Sequence, residues 1–154
     1  MKNEIAIKPI AIVKNDRLKT DEFRWGDVLS EIILTDEMPD QCLTGMEDFS
    51  HLEIIFYFHL LRDADVVFDL RHPRENTSYP LTGIFAQRSR ARPNKLGATI
   101  VELIEVRKRS FVVKGLDAIN GTPVIDIKPV MQEFLPKREV KQPVWSKELM
   151  GDYW

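Results

Sequence analysis

Three arginines spaced two apart, Arg88, Arg90 and Arg92, stand between an apolar Gly83-Ile84-Phe85-Ala86 segment and the stretch Pro93-Asn94-Lys95-Leu96-Gly97. A guanidinium presents a planar fork of donors suited to carboxylate or phosphate, and loops carried on a rigid scaffold commonly hold ligand contacts. The pattern describes an anion-friendly loop bounded by a stiff Pro, although an Asx turn at Pro93-Asn94 would account for that pair alone. A second chemistry-bearing stretch runs from Asp117-Ala118-Ile119-Asn120-Gly121-Thr122-Pro123 into Val124-Ile125-Asp126-Ile127-Lys128-Pro129. Asp126 and Lys128, two apart on a strand, share one face. Such charges must pair or line a polar cavity, because burying either singly is costly. A structural ion pair that fixes register and a proton-handling role both fit.

His51 and His59 fall on one face of a strand by parity, yet eight residues separate them by roughly 26 Å, so they cannot share a metal. His59 then reads as a hydrogen-bonded polar residue at a strand end. A lone Cys42 excludes an internal disulfide and the thiolate zinc motifs. The sequence has no Walker phosphate loop, GxGxxG, GxSxG or HExxH pattern. A nucleotide cofactor would need another kind of pocket, and no metal is expected.

The elements that must position these residues are mostly strands. Ile5 to Val13, with Pro9 pushing it toward an edge or bulge, Val28 to Leu34, a fully buried His51 to His59 and a short Val66 to Leu70 all carry strand signals. Ala98 to Val106 and Ser110 to Leu116 flank Arg107-Lys108-Arg109 as a hairpin. Asn120-Gly121 supplies a tight turn before Thr122 to Val130. Helical signals are confined to a short helix within Pro39 to Phe49 and another at Ser146 to Met150, with Ser146 as its N-cap. Many short strands between turns predict an all-β, mainly antiparallel barrel or sandwich. The strand–helix alternation of doubly wound nucleotide folds is missing.

At 154 residues, 44% of them hydrophobic and 30% charged, the chain has the size and composition of one water-soluble domain, 1–154. Met1-Lys2-Asn3-Glu4 starts no signal-peptide pattern and no apolar run is long enough to span a bilayer, so a cytoplasmic protein is expected. The net charge of −2 conceals an asymmetry: residues 15 to 53 carry eleven acids against three bases, whereas residues 83 to 114 carry eight bases against Glu102 and Glu105. A basic segment on an acidic protein points to an anionic partner read by one face, or to a solvated charged hairpin.

Phe49-Ser50-His51-Leu52 leading to Phe58-His59, Gly83-Ile84-Phe85-Ala86 with Arg88-Ser89, Arg92-Pro93-Asn94 with Leu96-Gly97, and Asp117 through Gly121-Thr122-Pro123 to Asp126-Ile127-Lys128-Pro129 together resemble the TrmO/TsaA-like family. The likeness runs from Ile10 to Trp154, including Trp25-Gly26 and the tail Pro143-Val144-Trp145, Glu148-Leu149-Met150 and Tyr153-Trp154, similar to compact archaeal-type members. It implies a β-barrel-like, non-Rossmann methyltransferase that uses S-adenosylmethionine, acts as a homodimer, and methylates N6 of threonylcarbamoyladenosine beside a tRNA anticodon. By motif match, His59, Leu60, Arg88, Ala98, Leu116, Asp117, Ala118 and Ile119 belong to the cofactor pocket, with Arg92 and Asn94 on its wall toward the substrate.

On that reading the basic segment engages tRNA phosphates, and Arg107, Lys108 and Arg109 at the hairpin tip contribute to tRNA engagement more than to cofactor binding, unless the tip is a solvated turn. Asp126 orients Lys128 or accepts a proton, and no catalytic base is assigned. The chain departs from longer bacterial members in lacking a Pro-Arg-Gln motif near Arg24-Trp25-Gly26 and their extra C-terminal domain. Lys95 stands where a second Pro is usual and Val130 where a Tyr is. A non-catalytic S-adenosylmethionine-binding regulatory module and a small-molecule methyltransferase are the alternatives.

Overall fold

A computed structural model describes residues 3–20 and 23–154. Met1 and Lys2, which open the polar N-terminal segment, and Asp21 and Glu22 of the acidic stretch lie outside the described residues. The strands are β1 (Ala11–Lys14), β2 (Leu29–Leu34), β3 (His51–Tyr57), β4 (Leu70–Arg71), β5 (Thr82–Gly83), β6 (Leu96–Val106), β7 (Ser110–Lys114) and β8 (Pro123–Pro129). Six close into an antiparallel barrel in the order β1-β2-β7-β6-β3-β8, with β1 paired back onto β8. β4 and β5 form a separate two-stranded ribbon. The expected all-β, non-Rossmann barrel is what forms.

Period-two alternation fills the barrel. Leu52, Ile54 and Phe56 of β3 are buried, whereas His51, Glu53, Ile55 and Tyr57 face the half-covered or open outside. β3 is therefore not buried on both faces as its apolar content suggests, because a barrel has only one dry side. Phe56 lies directly opposite Gly97 of β6. A Cβ at Gly97 would come within 2.5 Å of the Phe56 ring, so the glycine is required by close approach. Val13, Ile32, Val101, Phe111, Val113, Leu116 and Val124 complete the core.

Several expected boundaries move for identifiable reasons. Pro9 has no N–H, and the first strand starts only at Ala11, leaving Ile5 85% and Ile7 57% exposed. Because the barrel is closed, β1 is not an edge. The Val66–Leu70 strand shrinks to Leu70–Arg71, since Val67 N–H donates to the Ala91 carbonyl (2.9 Å) of the arginine loop instead. Pro39 to Phe49 holds two 3₁₀ turns, Asp40–Leu43 and Met46–Asp48, rather than one helix. Between them Gly45 takes a φ of 84°, which stops helical continuation.

The C-terminal helix α1 (Val144–Leu149) begins after Pro143, so Ser146 lies inside it and its hydroxyl donates back to the Pro143 carbonyl at 2.7 Å. Asn120-Gly121 does make a turn, with Gly121 at a φ of 82°. It delivers the chain to β1, Gly121 N–H donating to the Val13 carbonyl (2.8 Å), and does not close a hairpin. The β6–β7 hairpin forms as read, pairing Val106 with Phe111 across Arg107-Lys108-Arg109.

Candidate active site

One mouth of the barrel gathers most of the residues singled out above. Past Tyr57 the chain turns through Phe58 to Leu61, with His59 half-buried and Leu60 63% exposed on the rim. Phe58 N–H donates to the Lys95 carbonyl (2.8 Å), which sets the arginine loop beside this turn. Arg92-Pro93-Asn94-Lys95 is a β-turn closed by Lys95 N–H on the Arg92 carbonyl (3.0 Å), with Pro93 at the position that favours its fixed φ and Asn94 exposed at the corner. Lys95 takes a φ of 52° and is buried. Its ammonium donates to the Leu61 carbonyl (3.0 Å) and pairs with Asp63, and that hydrogen bond holds the amine protonated above the usual lysine range. Where the family commonly has a Pro, this chain has a charged staple between the arginine loop and the turn after His59.

Buried Gln87 anchors the other end of the loop, its amide donating to the carbonyls of Arg71 (3.0 Å) and Thr82 (3.1 Å) and to the Thr82 hydroxyl (2.8 Å). Arg92 returns Nη1 to the Gln87 carbonyl at 3.0 Å. Arg88 reaches across and donates Nη2 to the carbonyl of Ala98, in β6, at 2.5 Å. An exposed guanidinium held by a neutral carbonyl keeps its full charge for an anion.

The Leu116–Ile119 segment follows β7 at the same mouth. Leu116, Ala118 and Ile119 are buried at the barrel end, while Asp117 between them is half-buried. Asn15 fixes this segment, donating Nδ2 to the Ala118 carbonyl (2.9 Å) and to the Ser30 hydroxyl (2.8 Å). The Asp117 carboxylate accepts the hydroxyls of Thr99 on one oxygen and Tyr153 on the other. Arg88 and Asp117 are thus tied to consecutive residues, Ala98 and Thr99, at the start of β6. The tail closes the arrangement by pairing Arg24 N–H with the Asp152 carbonyl (3.0 Å) and Trp25 N–H with that of Tyr153 (2.8 Å). It packs at the very place where the longer members' Pro-Arg-Gln motif would fall.

Sequence reading did not single out Thr99, Asn15 or Gln87, whose roles depend on contacts far along the chain. Tyr153 was visible only as a tail aromatic.

The remaining predicted residues lie elsewhere. Arg107, Lys108 and Arg109 follow β6 at its far end, nine residues beyond Ala98 and so roughly 30 Å away. Arg107 binds Glu31 (3.0 Å) and Glu105 (2.9 Å), and Arg109 pairs with Asp40 and donates to the carbonyls of Thr35 (2.9 Å) and Met38 (3.2 Å). Ser110, ahead of Arg107, holds the Glu31 carboxyl below the usual range. Lys108 is 86% exposed, 3.9 Å from Asp40. Lys114 pairs with Asp27 at 3.0 Å. The hairpin part of the basic segment, from Arg107 to Lys114, is therefore neutralised by Asp27, Glu31 and Asp40 of the acidic segment. Asp126 and Lys128 pair at 2.5 Å, with Glu53 opposite Lys128, and Asp126 Oδ1 also accepts the Ile127 N–H (2.9 Å). Among the described residues, no three His, Cys, Asp or Glu side chains converge as a metal site, and no helix is long and apolar enough to cross a membrane.

This barrel matches a solved one, that of TrmO from Pseudomonas aeruginosa, with a TM-score of 0.73 over 92% of this chain and 62% of that one at 22% identity, a likeness of fold. A human protein named tRNA (adenine(37)-N6)-methyltransferase is 38% identical over 114 residues, 74% of this chain, but the chain spans only 25% of its length. An S-adenosyl-L-methionine-binding protein of Archaeoglobus fulgidus is 34% identical over 132 residues, covering 82% of this chain and 90% of that protein. Residues 24–134 match the model of the tRNA-methyltransferase O N-terminal domain, and the chain belongs to that family.

Proposed function

We propose that this chain is an S-adenosylmethionine-dependent methyltransferase that methylates N6 of threonylcarbamoyladenosine next to the anticodon of a tRNA. Family membership and the names of its relatives support the reading. The observation that carries it to particular residues is the pairing of an uncompensated cation, Arg88, with a half-buried carboxylate, Asp117, on consecutive residues of β6.

That donor set fits the cofactor. A guanidinium suits an amino-acid carboxylate. Each Asp117 oxygen, with one hydroxyl already bound, keeps a second lone pair for a ribose hydroxyl. The rim of Leu60, with His59 and the backbone of Leu116, Ala118 and Ile119, offers apolar surface and carbonyl acceptors. When bound, S-adenosylmethionine supplies a methyl group made labile by its sulfonium. The chain's own part is alignment: Arg88 and Asp117 fix the two polar ends, and buried Leu116, Ala118 and Ile119 keep water from entering behind them. Arg92 and Asn94, on the turn that leads into β6, form the wall toward the incoming base. Asp126 and Lys128 satisfy one another on the barrel's outside, so they serve register.

The same reading makes the protein a cytoplasmic homodimer. Exposed apolar side chains on the arm after β8, including Phe134 at 86% and Met131 at 42%, support a self-association surface. The Tyr153 end of the tail is not part of it, because it packs on its own barrel. Isothermal calorimetry without added metal tests the cofactor reading: S-adenosylmethionine or its demethylated product binds the folded chain. Absence of heat for both would remove the reading.

A further inference from the structure

With Arg107 and Arg109 of the hairpin tip satisfied by the protein's own acids, the ribbon and the arginine loop offer a second group of cations to an RNA. Residues 66–92 carry five arginines against Asp69 and Glu75, a balance of +3. Arg71 pairs with Glu75 at 3.4 Å. Arg90, by contrast, is exposed, and its guanidinium has no hydrogen-bond or ion-pair partner among the described residues. Two large rings stand beside this charge in water: Phe85 is 80% exposed and Phe68 is 78% exposed.

The hydrogen bonds of the region set both arms of the ribbon beside the arginine loop. Leu70 pairs with Gly83 at the end of the β4–β5 ladder; Phe68 lies two residues before that pair on one arm, and Phe85 two residues after it on the other, in the 3₁₀ turn Ile84–Ala86. The Val67 N–H on the Ala91 carbonyl (2.9 Å) then binds the residue before Phe68 to the residue after Arg90. Buried Gln87 locks ribbon and loop into one unit. Apolar rings held on a fixed surface beside unneutralised cations match what a single-stranded nucleic acid requires, a π-face for each base and a cation for the phosphate. A duplex hides its base faces and cannot use the rings.

We infer that Phe68 and Phe85 form a stacking platform for unpaired bases of an RNA, with Arg90 neutralising a neighbouring phosphate. The inference rests on the proposed function only in taking RNA as the partner. It places the RNA on the side of the arginine loop that leads into Arg88, so that a splayed base can enter the mouth while its neighbours stack outside.

Fluorescence anisotropy of the full chain with a labelled single-stranded 12-nucleotide RNA, and with the same strand annealed to its complement, tests this. The single strand should bind more tightly. Phe68→Ala and Phe85→Ala should each weaken it about tenfold, and Phe85→Trp should restore it. Arg90→Ala should lower the slope of log affinity against log salt by about 0.7. Melting temperatures should hold, since neither ring is in the core. Equal binding of duplex and single strand, or unchanged affinity in both alanine variants, overturns the inference. So does a shift in oligomeric state with RNA affinity intact, which would make the rings a protein-association face. The RNA pattern without S-adenosylmethionine binding would refute the proposed function alone; cofactor binding without the RNA pattern would refute only the platform.

Discussion

Arg88 and Asp117 anchor the proposed site at the scale of single residues, and Arg88 stands out against the cations that carry a carboxylate partner. Lys95 is committed to Asp63 and Leu61, Arg107 to Glu31 and Glu105, and Lys128 to Asp126. Arg88 has a neutral carbonyl as its partner and no carboxylate, a state it shares with Arg92 of the same loop. Arg88→Ala should therefore weaken S-adenosylmethionine binding by about 1.5–3 kcal/mol, the range for a hydrogen bond to a charged group, with the melting temperature nearly unchanged. Calorimetry checks it, and full affinity in a well-folded variant would take Arg88 out of the pocket. Residue type and spacing mark the arginine in the sequence as a candidate for anion binding. Its hold on Ala98 is not marked there, because that bond spans the loop and requires β6 to start where it does.

At the scale of elements, the sequence showed most clearly what is local. The β6–β7 hairpin, β2 and the alternation of β3 follow from periodicity and turn residues. What depends on closure stayed hidden. A sum of charges by segment shows two opposite patches but cannot show that β2 and β7 lie side by side, which turns the hairpin cations and the acids around β2 into internal ion pairs. Replacing Arg107, Lys108 and Arg109 together with Ser should accordingly lower thermal stability and leave S-adenosylmethionine affinity unchanged. The salt slope of tRNA binding should change by no more than the one exposed charge of Lys108. A slope flattened by three charges at unaltered stability would return the tip to the tRNA interface. Gly97→Ala probes the close contact of β3 and β6: its Cβ would meet the Phe56 ring. Overpacking of this kind costs about 1–3 kcal/mol. For a chain of this length that is a fall of about 2–12 °C in melting temperature, measurable by calorimetric scanning. An unchanged melting point would mean that Phe56 swings aside freely.

The molecule as a whole is a closed barrel with the proposed site at one mouth and its charge-paired hairpin at the other. The tail from Asp152 to Trp154 and the mid-chain loop from Gln87 to Lys95 both pack at the mouth of the proposed site. With the exposed apolar arm after β8 as the proposed self-association surface, light scattering at micromolar concentration should report a homodimer; a monomer alone would defeat that part of the account. The most direct test of the central claim is incubation of the chain with S-adenosylmethionine carrying a labelled methyl group and total tRNA, followed by digestion to nucleosides. The account predicts label in N6-methylated threonylcarbamoyladenosine, lost in Arg88→Ala. A chain that binds the cofactor yet leaves every tRNA nucleoside unlabelled would contradict it.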